Sequence, residues 1–182
     1  MQTSTDEIVV RQVRAGDSNA FGELYEKYKG NVYAYCYRLL QNQSSAEDAL
    51  QNTFMKAFQS ISTLDDATAF KYWLFMIARN EVYTVLRKVR SNGQVKSLDD
   101  SDDIWDEQTP FSKAVQTDTV DIIQELLGQL KTEYREVLIL REYEQLTYVE
   151  IAALTGDTVS SVKSRIFKAR KALTKKLKPY FK

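Results

Sequence analysis

Apolar residues recur at three- and four-residue spacing towards both ends of this chain, and one central stretch where that spacing lapses divides it in two. Phe21, Leu24, Tyr28, Val32, Tyr35 and Leu39 would share one face of a helix running from about Ser18 to Leu40. Ser44-Ser45-Ala46-Glu47 has the pattern of a capping box and predicts a helix opening near Ser45, with Ala46, Leu50, Phe54, Phe58 and Ile61 inward. After a polar break from Ser62 to Ala67, the stripe Phe70, Trp73, Leu74, Ile77, Ala78, Val82, Val85 and Leu86 marks a further helix that ends in Arg87, Lys88 and Arg90. With a weaker opening helix around Thr5 to Ala15, residues 1–90 are predicted to form a four-helix domain. From Ser91 to Asp118 come SNG, SLDDSDD and Pro110, with seven acidic and two basic residues. Few apolar side chains and many like charges predict a flexible acidic linker over residues 91–118. With only six glycines and two prolines in 182 residues, the fold class is all-α: two small helical domains on one tether.

Residues 119–182 carry the sharpest local pattern. Helices from about Asp121 to Leu130 and Thr132 to Glu142 precede a second capping box, Thr147-Tyr148-Val149-Glu150, which opens a short helix from Tyr148 to Leu154. Gly156 suits the positive φ of a sharp turn, and Thr158 is placed to cap a helix with Val159, Val162, Ile166, Ala169 and Leu173 inward. That order is a helix-turn-helix. The opposite face offers Ser160, Ser161, Lys163, Ser164, Arg165 and Lys168, groups suited to base edges and phosphates. From Thr158 to Lys182 there are nine Lys and Arg and no Asp or Glu, although net charge over the whole chain is zero. Such a cluster repels itself unless an anion such as phosphate is near, and a solvated helix face is the competing reading.

Several functions are disfavoured. Without histidine the chain lacks the commonest general acid/base and most zinc sites, so no catalytic residues, metal or cofactor are expected and the chain is read as not an enzyme. The one cysteine, Cys36, lies in an aromatic stripe and is read as a small core residue. No stretch of ten residues is free of charge, and the start MQTSTDEIVVRQ lacks the basic-then-apolar order of a signal peptide. A cytoplasmic protein with no membrane insertion of its own is expected. Two rivals stay open: a dimeric helix-turn-helix repressor or activator, and an adaptor that binds only protein.

AEDALQNTFMKAFQSI (Ala46 to Ile61), AFKYWLFMIARNEV (Ala69 to Val82) and LTYVEIAALTGDTVSSVKSRIFKARKAL (Leu146 to Leu173) resemble regions two and four of the extracytoplasmic-function (ECF) sigma factors. The resemblance implies a protein that binds core RNA polymerase, recognises promoter DNA and helps open it, acting as a monomer and restrained by an anti-sigma factor. It assigns Asp48, Gln51, Asn52 and Phe54 to the polymerase clamp, with Asn52 departing from the usual acidic residue and Phe54 equally explained as core. The loop Leu64 to Ala69 and Lys71, Tyr72, Arg79, Asn80, Arg87 and Lys88 would hold the melted minus-ten strand: cations for phosphates, a ring for stacking, an amide for a flipped base. Trp73 would be core, and Arg90 a further phosphate anchor with Arg87 and Lys88, a solvated helix end being the competing reading for all three. Ser160, Lys163, Ser164, Arg165, Phe167, Lys168 and Arg170 would meet the minus-thirty-five duplex. Phe167 would lie against a thymine methyl or sugar, or be partly buried against Tyr148 or a partner protein. A 28-residue linker reaches roughly 90 Å at about 3.3 Å per residue, against roughly 85 Å between elements about 25 base pairs apart. Its acidic stretch Asp99 to Glu107 would either run through a basic channel of the polymerase or serve as a solvated spacer.

Overall fold

A computed structural model of the chain describes residues 5–91, 104–105 and 119–180, with the backbone alone at residues 90 and 119–121. The linker expectation for residues 92–103 and 106–118, and the role suggested for the Arg90 side chain, lie outside the described residues. The chain divides into two compact units, Met1–Lys96 and Ser97–Lys182, and apart from one isolated β-bridge the described secondary structure of both is helical.

The first unit holds α1 (Thr5–Arg14), α2 (Ala20–Leu40), α3 (Gln43–Ser60) and α4 (Phe70–Ser91). Its core is the expected stripe of α2, with Phe21, Leu24, Tyr28, Val32, Tyr35, Cys36 and Leu39 all buried. Helix α2 opens where the Asp17 carboxylate accepts the Asn19 amide at 3.0 Å, and it closes at Gln41, whose φ of 52° takes the left-handed form.

Helix α3 departs from its sequence pattern in two ways. The cap is Asn42, whose side-chain oxygen accepts the Ser45 amide at 2.8 Å, so the helix starts at Gln43 and the box expected at Ser44 and Glu47 does not form. Glu47 instead accepts from the Gln43 amide group at 2.9 Å. The buried face also rotates: Ala46, Ala49, Thr53, Phe54, Ala57 and Ile61 are inside, Leu50 is half-buried and Phe58 is 46% exposed. Small side chains at this spacing bring α3 close to its neighbours, which favours the alanine face over the one bearing Phe58.

Helix α4 buries Phe70, Leu74, Ala78 and Val82 as expected, and also Phe75, which stands edge-on to Tyr35 at 5.4 Å. Trp73 is only half-buried, tilted against Phe70, so it borders the core rather than filling it. Between α3 and α4 the loop is fixed at two points. Asp66 accepts the Thr68 amide and hydroxyl at 2.9 and 2.6 Å, and Arg14 donates to the Leu64 carbonyl at 3.1 Å.

The second unit holds α5 (Thr119–Gly128), α6 (Thr132–Glu142), α7 (Tyr148–Thr155) and α8 (Val159–Leu177). Leu126, Leu130, Val137, Ile139, Leu140, Ile151, Val162, Ile166 and Ala169 form its core. Arg135 is buried and donates to the carbonyls of Gly128 and Leu130 at 2.7 and 2.8 Å, which pins the α5–α6 turn. The capping box at Thr147 is complete: the hydroxyl accepts the Glu150 amide at 3.2 Å and Glu150 accepts the Thr147 amide at 2.7 Å. Gly156 ends α7 at φ 75°, and Thr158 caps α8 by accepting the Ser161 amide at 3.1 Å. These three local devices set the α7–α8 turn that the sequence predicts.

Trp105 does not fit a featureless linker. It forms an antiparallel bridge with Leu130, and the Lys131 amide donates to the Ile104 carbonyl at 3.0 Å. A large indole gains more by lying on apolar surface than by remaining in water, which explains the departure.

Candidate nucleic-acid interfaces

Helix α8 turns Val162, Ile166 and Ala169 inward, so Ser160, Ser164, Phe167, Lys168, Lys171 and Lys175 share the outward face. Phe167 is 67% exposed, which excludes the burial suggested near Tyr148. The Tyr148 ring is flanked instead by cations, with Lys163 Nζ 5.6 Å and the Arg141 guanidinium 4.7 Å from its centre. Two sequence-predicted contact residues are engaged in ion pairs within the unit, Arg170 on an exposed surface. Arg165 pairs with Asp157 just before the helix, and Arg170 Nε donates to Glu142 of α6 at 2.8 Å. The bond to Glu142 raises the Arg170 pKa above its ordinary value. Both arginines thus brace α8 against its neighbours. Ser160, Lys163, Ser164, Phe167 and Lys168 stay on the exposed side, joined by Lys171 and Lys175, which the sequence pattern had placed only within a general basic run.

On α4 one stripe carries half-buried Tyr72, Arg79 and Tyr83 with exposed Met76 and Arg87, and exposed Asn80 lies beside it. The Arg79 guanidinium lies 4.3 Å from the centre of the Tyr83 ring, and Arg87 donates to the Tyr83 carbonyl and the Thr84 hydroxyl at 3.3 and 3.2 Å. Met76 and Tyr83 are additions to the predicted set, visible only once the helix phase is known. Lys71 points away from this stripe, its ammonium 5.8 Å from the Phe75 ring centre. Lys88 is exposed on another side of the last turn. The structure therefore brings Tyr72, Arg79, Asn80 and Arg87 together and leaves Lys71 and Lys88 apart.

On α3, Asp48 and Gln51 are exposed and Asn52 is half-buried. Phe54 is core, edge-on to Phe21 at 6.3 Å and to Tyr25 at 4.8 Å, which decides its two readings in favour of packing. Met55 and Phe58 are the exposed apolar residues of this helix, and the sequence stripe had assigned Phe58 inward. Among the described residues no group of three or more carboxylate or cysteine side chains is placed to hold a metal ion, and no helix is long and apolar enough to cross a membrane.

A helical unit ahead of a helix-turn-helix unit defines the class, that of sigma-70 proteins: residues 24–92 match Sigma-70 region 2 and residues 121–173 match Sigma-70 region 4. The ECF RNA polymerase sigma factor SigW of Bacillus subtilis is 31% identical over 177 residues, covering 93% of this chain and 95% of its own. The RNA polymerase sigma-H factor of Pseudomonas aeruginosa is 30% identical, covering 96% and 94%. Among solved structures, the sigma factor RpoE in complex with the anti-sigma factor NepR from Bartonella quintana superposes with a TM-score of 0.69 at 26% identity, over 87% of this chain and 96% of that one. CnrH in complex with the cytosolic domain of CnrY gives 0.70 at 23% identity over 97% and 99%, a likeness of fold. The chain belongs to the ECF RNA polymerase sigma factors.

Proposed function

We propose that this sigma factor joins core RNA polymerase and directs initiation at bipartite promoters, reading minus-thirty-five duplex with α8 and the melted minus-ten strand with α4. The observation that carries the reading is the chemical division between an exposed face of α8 and a partly exposed stripe of α4. The α8 face combines Ser160, Lys163, Ser164, Phe167 and Lys168 on a helix with no carboxylate of its own. Lysines at the major groove can meet guanine acceptors or phosphates, serines several base edges, and an exposed ring a thymine methyl. The α4 stripe instead sets Arg79 over the Tyr83 ring, with Arg87 on the Tyr83 carbonyl and Tyr72 and Asn80 on the same side. Rings and guanidinium planes stack on unpaired bases of any sequence, while an amide can read one flipped edge.

Asp48 and Gln51, with Met55 and Phe58 nearby, form the surface assigned to the polymerase. An exposed apolar pair rimmed by polar groups suits a protein partner. The RpoE structure in complex with NepR supports an anti-sigma factor as the restraining partner of this chain too. On this reading the protein acts in the cytoplasm, as a monomer, with domains at residues 1–90 and 119–182.

Reconstitution tests the proposal. Purified chain and core polymerase are mixed with a library of randomised promoters, and start sites are sequenced. The expected result is 1:1 association and selection of two separated, asymmetric elements. A palindromic site, or start-site choice unchanged by the added chain, would overturn the reading in favour of a dimeric regulator or a protein-only adaptor.

A further inference from the structure

The loop from Leu64 to Ala69 is fastened at both ends, and one fastening comes from a helix that has no part in the site proposed so far. Leu64 leaves the short turn Ile61–Thr63 in extended form, with φ −73° and ψ 109°, and its amide donates to the Ile61 carbonyl at 3.3 Å. Its side chain is buried, as are those of Ile61 and Ala67, so Asp65, Asp66 and Thr68 form the exposed edge. At the α4 end, Asp66 accepts from Thr68, and the Ala69 amide donates to the Asp66 carbonyl at 3.0 Å. These bonds join residues two and three apart. They shape the turn but do not tie it to the rest of the unit.

The tie at the α3 end is Arg14, whose Nη1 donates to the Leu64 carbonyl at 3.1 Å across 50 residues of chain. Arg14 is the last residue of α1, where Val9, Val10 and Val13 are buried and the helix packs against the turns Ile61–Thr63 and Ala67–Ala69 as well as α2. The guanidinium therefore reaches out from a backbone that packing already fixes. A charged donor makes such a bond roughly twice as strong as a neutral one. A loop that must grip an unpaired base binds it better when its backbone is ordered beforehand, because that order is not imposed during binding.

We propose that Arg14 is a positioning residue for the melted strand: by anchoring the Leu64 carbonyl it holds the Asp65–Thr68 edge where an unpaired base meets it, without touching DNA itself. Helix α1 is then a splint for the loop. This inference rests on the strand-reading role proposed above for the first unit, and it adds to that role a residue outside both the loop and α4.

The test uses the full chain bound to core polymerase on templates pre-melted over the minus-ten element, with each of the four bases placed in turn at each position of the free strand. Arg14→Ala is expected to lower discrimination at one or two positions by about fivefold or more, the low end of what one base contact is worth, while polymerase association and binding of minus-thirty-five duplex stay unchanged. Arg14→Lys, which keeps a cationic donor, is expected to recover most of that discrimination. Unchanged base preference, with or without a loss of thermal stability, would overturn the proposal, as would an equal loss of polymerase association and duplex binding. A salt slope lowered by about 0.7 with preference intact would also overturn it, by making Arg14 a direct phosphate contact. If the unsubstituted chain itself shows no preference on the melted strand, strand reading is what has failed, and the splint is judged by amide hydrogen exchange in the free full chain. There Arg14→Ala should speed exchange at Leu64 and Ala69 about threefold or more while the buried turns of α4 keep their rates; equal exchange at those two amides would overturn it.

Discussion

Helices α4 and α8 are both long and amphipathic, and each turns polar and aromatic groups outward, but they differ in how those groups are held. On α8 the arginines at 165 and 170 are tied to Asp157 and Glu142, Lys163 lies over the Tyr148 ring of α7, and Lys168, Lys171 and Lys175 are exposed on the outward face. On α4 the cations lie against rings and backbone of the same helix, Arg79 over Tyr83 and Arg87 on the Tyr83 carbonyl. A projecting lysine is a point charge for phosphate, whereas a guanidinium resting on a ring is part of a flat, preformed stacking surface. The difference teaches that charge count alone does not identify a nucleic-acid face. On the proposed reading, exposed lysines would mark the duplex reader and a guanidinium resting on a ring of its own helix the single-strand reader.

Salt gives the largest expected separation. If Lys163, Lys168, Lys171 and Lys175 each neutralise one phosphate, raising salt from 50 to 200 mM should weaken duplex binding by the full chain about a hundredfold, from a slope of about 0.9 per phosphate. A filter-binding titration with a promoter duplex checks this. A slope near zero would break the comparison by removing phosphate contacts from α8.

Next in size is Tyr72→Ala. Loss of one stacking ring should weaken capture of a melted minus-ten strand by about 1–3 kcal/mol while leaving the salt slope of duplex binding unchanged. Measured in the polymerase complex on pre-melted templates, a loss that appears equally on fully duplex upstream DNA would erase the distinction between the helices.

Lys163→Ala and Lys175→Ala sharpen the comparison within α8. The first should cost about 1–3 kcal/mol and relax preference at one or two base positions, while the second should weaken all sequences alike and lower the salt slope by about one. Competition among randomised duplexes separates the two outcomes. Equal loss of discrimination from both would contradict the base-reading role of Lys163.

The smallest effect concerns the support of the first unit. Burial pushes the Cys36 thiol up from 9.0 to about 12, with the nearby Glu81 charge adding to it. Above pH 9 the unfolded chain gives up this proton while the folded chain keeps it, so the folded state loses stability relative to a Cys36→Ala chain by roughly 1 kcal/mol per pH unit between pH 9 and 12. Urea midpoints of the two chains at pH 8 and pH 10.5 give the difference. Parallel curves would remove the thiol from the core as described.

How much of this was legible in the sequence depended on whether the signal was local. The Thr147 box, the glycine at 156 and the Thr158 cap use partners within three or four residues, and all three stand where the pattern put them. The start of α3 was misplaced because Asn42, Ser44 and Ser45 are all competent caps, and the choice depends on how the chain leaves Gln41 at positive φ. Phe58, on the predicted stripe of α3, stands exposed, and Phe75, outside the predicted stripe of α4, is buried, because inward phase is set by packing and spacing alone determines it only to within part of a turn. For the site, the outward residues of α8 followed from its strong inward stripe. The pairing of Arg170 with Glu142 spans 28 residues and left no trace in local spacing. Trp105 lies within an acidic run whose charge predicts a solvated linker, whereas its indole stands against Lys176 and its backbone bridges Leu130.

The most direct measurement places a photo-crosslinking amino acid at position 167 or at position 72 in the chain bound to polymerase on one promoter. Crosslinks from 167 should fall on duplex, and those from 72 on the non-duplex strand about two helical turns downstream. Crosslinks from both positions to the same stretch, or to protein alone, would contradict the division of labour between α8 and α4.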